Sequence, residues 1–246
     1  MEIVVSTSKE ELGMKAADKA AKLINKAIEE KGFANLTMAT GMSQFEMLNE
    51  LVKKNVSWEN TNCFHLDEYV GLPASHPASF RKYLKERFVD IVSPGNFHYI
   101  NGEENILEEC TKLEKLITSY PIDVAFVGIG ENAHLAFNDP PADFNIDHAY
   151  IQVELDNKCK QQQVDEGWFA SLAEVPKSAV SMTIKQILKS KHIICCVPDE
   201  RKANAIKDVV EGEVTPNVPS SILKQHPSTF LYLDQFSSSL LFGYTS

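Results

Sequence analysis

The sequence predicts one doubly wound α/β domain over residues 1–246, with a mainly parallel sheet covered by helices on both faces. Three observations predict it. Short apolar runs without charge, such as Val124-Ala125-Phe126-Val127 and the run ending Cys195-Cys196-Val197, have the character of strands buried on both faces of a parallel sheet. Between such runs lie stretches whose apolar residues recur at helical spacing. Polar residues gather directly behind several strands, where open α/β sheets bind their ligands. Strand and helix alternate along the chain, with no repeat, low-complexity segment or linker.

The elements follow in order. Residues 2–5 read as a strand, and Ser8 with Glu11 forms a capping box for a helix that Gly32 ends after Lys31. Ala34 to Ala39 is a second strand; Ser43 with Glu46 repeats the capping box, and Phe45, Leu48, Leu51 and Val52 mark the inner face of the next helix. Asn62 to Leu66 is a third strand, ending in Asp67-Glu68-Tyr69, with a loop at Pro73, His76 and Pro77. Ser79 to Val92 is amphipathic, Phe97 to Ile100 is extended, and Ile106 to Ser119 is a helix before the strand that starts at Asp123. Beyond Pro141, Tyr150 to Leu155 alternates like an exposed strand, and Lys177–Ile184, His192–Val197 and Thr229–Leu233 are further strands. Residues 198–212 form a helix, and residues 160–173 read as a surface helix packing Trp168 and Phe169 inward, or else as a mobile cover.

At 246 residues the chain buries a large core. The net charge of -10 and the lack of a basic run argue against a nucleic-acid surface, so any anionic ligand must be held by local groups. No apolar run approaches membrane-spanning length. The five cysteines are odd in number and irregularly spaced, without Cys-x-x-Cys. They read as reduced core residues of a cytoplasmic protein, and no metal site is expected of them. Met1 leads straight into Glu2-Ile3-Val4-Val5, so no signal peptide is expected.

Three stretches carry the chemistry. Thr40-Gly41-Met42-Ser43 lies between a strand and a helix, which is the geometry of a phosphate cradle and also of an ordinary βα turn. Asp67 and Glu68 end a buried strand, where carboxylates are costly unless solvated, paired or used. Gly128-Ile129-Gly130 breaks the central strand and precedes Glu131, Asn132, His134, Asn138 and Asp139. Lys202, near a helix start, suggests a partner anion because a cation there opposes the helix dipole.

Together, Thr40 to Ser43, Leu66-Asp67-Glu68-Tyr69-Val70-Gly71-Leu72 and Gly128 to Pro140 resemble the glucosamine-6-phosphate deaminase (isomerase) family, whose superfamily also holds 6-phosphogluconolactonases. The resemblance implies a modified Rossmann-type fold, no cofactor, and aldose–ketose isomerisation of a hexosamine 6-phosphate to fructose 6-phosphate with release of ammonia. It implies Asp67 as the base that moves a proton between C2 and C1, and His134 as the ring-opening residue, with Asn132 and Asp139 at the catalytic relay positions beside it. Thr40, Gly41, Met42, Ser43, Glu68, Gly130 and Lys202 are the implied substrate and phosphate contacts.

The chain also departs from that pattern. The family has an aspartate where this chain has Asn132, a glycine at Ala133 and a glutamate at Asp139. An arginine expected near Glu166-Gly167 is missing. Asn132 is therefore expected to orient His134 without stabilising its imidazolium, slowing ring opening. The alternative readings are a phosphogluconolactonase and a sugar-phosphate sensor. The expected partner is a small sugar phosphate, without nucleic acid or membrane; a homo-oligomer is left open.

Overall fold

The computed structural model describes residues 1–243. Seven strands form one sheet: β1 (Glu2–Ser6), β2 (Ala34–Met38), β3 (Thr61–His65), β5 (Asn96–His98), β6 (Val124–Val127), β9 (His192–Val197) and β10 (Thr229–Asp234). Their order is β1-β10-β9-β6-β2-β3-β5, and every pairing is parallel. β2, β6 and β10 are buried along their whole length. The long helix α1 (Lys9–Lys31) is capped by Ser8, whose side chain accepts from the Glu11 amide, and stopped by Gly32 in the left-handed region. It packs its alanine-rich face on the sheet and on α2 (Phe45–Leu51).

A second, three-stranded sheet is the feature that strand patterning did not predict. β4 (Asp67–Tyr69) pairs antiparallel with β8 (Ser178–Met182), which pairs antiparallel with β7 (Tyr150–Glu154). A satellite apolar cluster around Tyr69, Phe80, Phe137 and Phe169 packs against it.

The stretch after Ser79 is one continuous helical rod: α3 (Phe80–Leu84), a π-helical segment (Lys85–Val89) and α4 (Asp90–Val92). The remaining helices are α5 (Ile106–Thr118), α6 (Asn157–Asp165), α7 (Ile184–Ile187) and α8 (Ala203–Glu211). Trp168 and Phe169 follow α6 and turn inward, Trp168 packing edge-on to Phe45 and Tyr83. No described helix is long and apolar enough to cross a membrane.

The strand order locates the site. After β2 the chain lays β3 and β5 outward to one side; after β6 it lays β9 and β10 to the other. The crevice beyond the carboxyl ends of β2 and β6 is thus the topological switch point, where open α/β sheets bind ligands.

Candidate active site

A cavity of about 520 Å³ opens at that switch point, and it gathers Thr40, Gly41, Met42, Ser43, Asp67, Gly130, His134 and Lys202. Each is delivered by the carboxyl end of a strand. The turn after β2 depends on Gly41, whose φ of 92° is closed to most side chains, and the Tyr83 hydroxyl donates to the Gly41 carbonyl at 3.0 Å. The expected capping box at Ser43 is not formed. Ser43 lies inside a 3-10 turn (Met42–Gln44), its hydroxyl accepts from Gln44 Nε2, and Glu46 pairs instead with Lys9 at 2.8 Å.

Asp67 and Glu68 are neighbours on a strand, so their side chains leave on opposite sides. Asp67 faces the cavity, 6% exposed, and no described protein group hydrogen-bonds its carboxylate. Burial, with the Glu68 charge second, pushes its pKa up to about 8. Glu68 does not line the cavity, which corrects its expected role in substrate binding. Its carboxylate accepts from the amides of Tyr69, Phe80 and Arg81, from the Ser79 hydroxyl and from Arg81 Nε. Glu68 thus ties the start of α3 to β4.

The loop behind β6 is shaped around His134. A Cβ at Gly130 would come within 2.2–2.5 Å of three atoms of the imidazole, so the glycine lets the ring lie against the backbone. His134 Nδ1 is 3.1 Å from Asp139 Oδ1. The carboxylate can only accept, so Nδ1 carries the hydrogen, which in the neutral ring leaves Nε2 its lone pair. Burial alone would raise the Asp139 carboxyl; the hydrogen bonds from His134, Asn132 and the Asp156 amide bring it below its ordinary value.

Asn132 stands elsewhere than expected. Its Oδ1 accepts from the His134 backbone amide, and its Nδ2 donates to Asp139 at 2.9 Å and Asp156 at 3.2 Å. It braces the loop and the carboxylate, and makes no hydrogen bond to the imidazole. The carboxylate that sequence reasoning found missing at position 132 is supplied by Asp139. Neither Asn132 nor Asp139 lines the cavity.

Lys202 is 4% exposed, and among the described residues no carboxylate lies within 4.0 Å of its ammonium. Burial lowers its pKa, against the raising influence of Glu166 and Glu131. A desolvated ammonium without a counter-ion, facing a cavity, calls for an anion. The expected helix start is a 3-10 turn (Glu200–Lys202) that leads into α8.

Backbone strain is concentrated here. Of the four non-glycine residues with positive φ among the described residues, Ala136 (51°) and Asp199 (89°) line the cavity and Ala133 (63°) directly precedes His134. Such conformations persist only where the surroundings enforce them, and they cluster at functional sites.

Sequence reasoning missed Gln162 and Gln163, which line the cavity from α6. Gln162 Oε1 accepts from the Glu131 amide, and Gln163 Oε1 accepts from the buried Tyr69 hydroxyl. The run over residues 160–173 reads as a surface helix in preference to a cover over a site, and nothing in it singles out these two glutamines, because α6 reaches the cavity only through the tertiary fold. Among the described residues His134, Asp139 and Cys159 have metal-donor atoms within 4.8 Å of one another. However, Asp139 already occupies His134 Nδ1, and burial pushes the Cys159 thiol well up, so the trio reads as a relay with an inert thiol behind it.

Comparison with known proteins shows the family. Residues 7–231 match the family of glucosamine-6-phosphate isomerases and 6-phosphogluconolactonases. The glucosamine-6-phosphate deaminase of Lactobacillus delbrueckii subsp. bulgaricus is 35% identical over 243 residues, covering 98% of this chain and 100% of the relative. That of Listeria monocytogenes is 33% identical over the same span. The solved structure of a monomeric glucosamine-6-phosphate deaminase superposes with a TM-score of 0.89 at 30% identity, over 98% of this chain and 100% of that one. A 6-phosphogluconolactonase from Thermotoga maritima shares the fold, with a TM-score of 0.79 at 18% identity over 95% of this chain and 99% of that one. The cavity at the switch point, the unpaired Asp67 above β3 and the His134 loop above β6 are therefore those of a chain that belongs to the glucosamine-6-phosphate isomerase/6-phosphogluconolactonase family.

Proposed function

We propose that this protein is an enzyme that converts glucosamine 6-phosphate and water into fructose 6-phosphate and ammonia. The observation that carries the reading is Asp67, a carboxyl buried at the cavity wall with no protein donor and a pKa raised to about 8. A carboxyl so tuned works as a general base near neutral pH.

The residues divide the work. The turn from Thr40 to Ser43 and the ammonium of Lys202 hold the phosphate. His134, through Nε2, takes the proton of the anomeric hydroxyl and returns it to the ring oxygen, opening the sugar. Asp139 holds the ring in the competent tautomer and stabilises the imidazolium that forms. Asp67 then removes the C2 proton while O1 takes a proton, giving an enolamine, and delivers its proton to C1 as the nitrogen gives one up, leaving a ketimine. Water adds at C2 and ammonia leaves. The chain needs no further group for these steps. The five free, buried cysteines fit a reducing, cytoplasmic setting.

The test is incubation with glucosamine 6-phosphate in D2O, followed by NMR and an ammonia assay. Ammonia released with deuterium at C1 of fructose 6-phosphate is the expected result. Hydrolysis of 6-phosphogluconolactone without sugar labelling would transfer the reading to a lactonase. Binding without turnover of either compound would make the protein a sensor.

A further inference from the structure

Resting on the phosphate-pocket reading above, the geometry points to Arg201 as the second cation of the anion site, taking the part of the arginine that is missing near Glu166. The cavity is otherwise poor in positive charge. Among the described residues, Lys9, Arg201 and Lys202 are its only lysine or arginine lining residues, against Glu10, Glu46, Asp67, Glu166, Asp199, Glu200 and Asp234. Lys9 is already paired with Glu46. A phosphate dianion placed beside Lys202 would meet this acidic surround with one ammonium to hold it, unless a second cation turns in.

Arg201 is built to do so. It lies on the same 3-10 turn as Lys202 and lines the same cavity. Two of its nitrogens grip Asp199: Nε lies 3.2 and 3.3 Å from the two carboxylate oxygens, and Nη2 lies 2.9 Å from one of them. The third, Nη1, makes only a 3.7 Å contact with Glu131, beyond hydrogen-bond reach, so one arm of the planar fork is left to donate. The grip is itself enforced. Asp199 sits at φ 89° and ψ 136°, a conformation that side-chain-bearing residues rarely adopt, and its amide is pinned by Asp234 Oδ2 at 3.1 Å. The strain aims Asp199 at Arg201, and Asp199 aims the guanidinium. Glu131, from the loop that carries His134, competes for the same arm until an anion displaces it.

The experiment compares wild type, Arg201→Ala, Arg201→Lys and Lys202→Ala by steady-state kinetics with glucosamine 6-phosphate and by competitive inhibition with inorganic phosphate. Arg201 is 37% exposed, so its removal leaves the fold intact. For Arg201→Ala, KM and the phosphate inhibition constant should both rise about 10–100-fold, the value of a charge-assisted hydrogen bond. kcat should hold within about threefold, because the contact is made equally in ground and transition states. Arg201→Lys should recover part of the loss, since it keeps the charge and not the fork. If both constants stay at wild-type values in Arg201→Ala while Lys202→Ala raises them, Arg201 is a surface pair for Asp199 and the inference falls alone. If Lys202→Ala leaves them unchanged as well, the phosphate-pocket reading falls, and the inference with it.

Discussion

Asp123, at the amino end of β6, accepts from Lys31 Nζ on both oxygens, at 2.6 and 2.7 Å, and from the Asn35 amide at 2.8 Å. Asp67, beyond the carboxyl end of β3, is just as buried and accepts from no described protein group. The amino end of the sheet thus carries a carboxylate whose every demand is met by the fold. The carboxyl end carries one that folding leaves unmet, next to an unpaired Lys202 and three strained backbone positions. Burying an unpaired ionisable group costs stability, and its pKa moves toward neutrality to limit that cost. Identical chemistry is structural where it is satisfied and chemically poised where it is not. The adjacent pair Asp67 and Glu68 repeats the contrast within one strand.

The largest effect should come from removing the poised carboxylate. Asp67→Asn should lower turnover of glucosamine 6-phosphate by about 10²–10⁴-fold, the range for a positioned acid–base group, with phosphate affinity within a few-fold. It should also stabilise the protein in mild alkali. A carboxyl whose pKa is raised by folding binds its proton more tightly in the native state, so its contribution to stability declines from about pH 4 up to its folded value of about 8. The amide has no such decline, and its melting temperature at pH 8 should exceed that of wild type. A lower melting temperature would mean that Asp67 is paired in solution.

Glu68→Ala should do the reverse, costing about 3 kcal/mol or more in denaturant unfolding, because three amides and a hydroxyl lose a buried acceptor. Folded Glu68→Ala should keep inorganic phosphate affinity. Loss of affinity without loss of stability would return Glu68 to the ligand site.

Next comes the relay. Asp139→Asn should slow reaction of the cyclic sugar by about 10²-fold or more. Asn132→Asp should give no gain, since a new carboxylate would sit within hydrogen-bond reach of Asp139 and Asp156. A large acceleration in Asn132→Asp would show that the imidazolium lacks support in the native enzyme. The smallest effect is local: Ala133→Gly should raise stability by about 1 kcal/mol, relieving a left-handed alanine. An unchanged unfolding midpoint would show that this strain is absent.

The parallel sheet was legible because its central strands, such as β6 and β9, are apolar runs without acidic residues, lysine or arginine, bounded by helical periodicity. The second sheet was not: β4 has three residues, and its partner β8 follows more than a hundred positions later, so neither carries a pattern that announces the pairing. The turns at Thr40, Asp67 and His134 were legible as polar residues behind buried strands. Glu68 was misread although it was placed at the end of a strand, because the alternation that turns it away from Asp67 was not applied there. Asp139 stood among the expected catalytic residues, but its bond to His134 was not foreseen because it depends on how the loop behind β6 folds; Arg201 was missed because a single surface arginine has no sequence signature.

The most direct test of the contrast is the pH dependence of deuterium exchange into the sugar, measured as kcat/KM with glucosamine 6-phosphate in D2O. An Asp67 poised by burial predicts a rate that climbs with pH through an ionisation near 8 in wild type, with that limb gone from the residual activity of Asp67→Asn. A rate already level from about pH 5, as for an ordinary carboxylate, would contradict the account, as would an unchanged limb in Asp67→Asn.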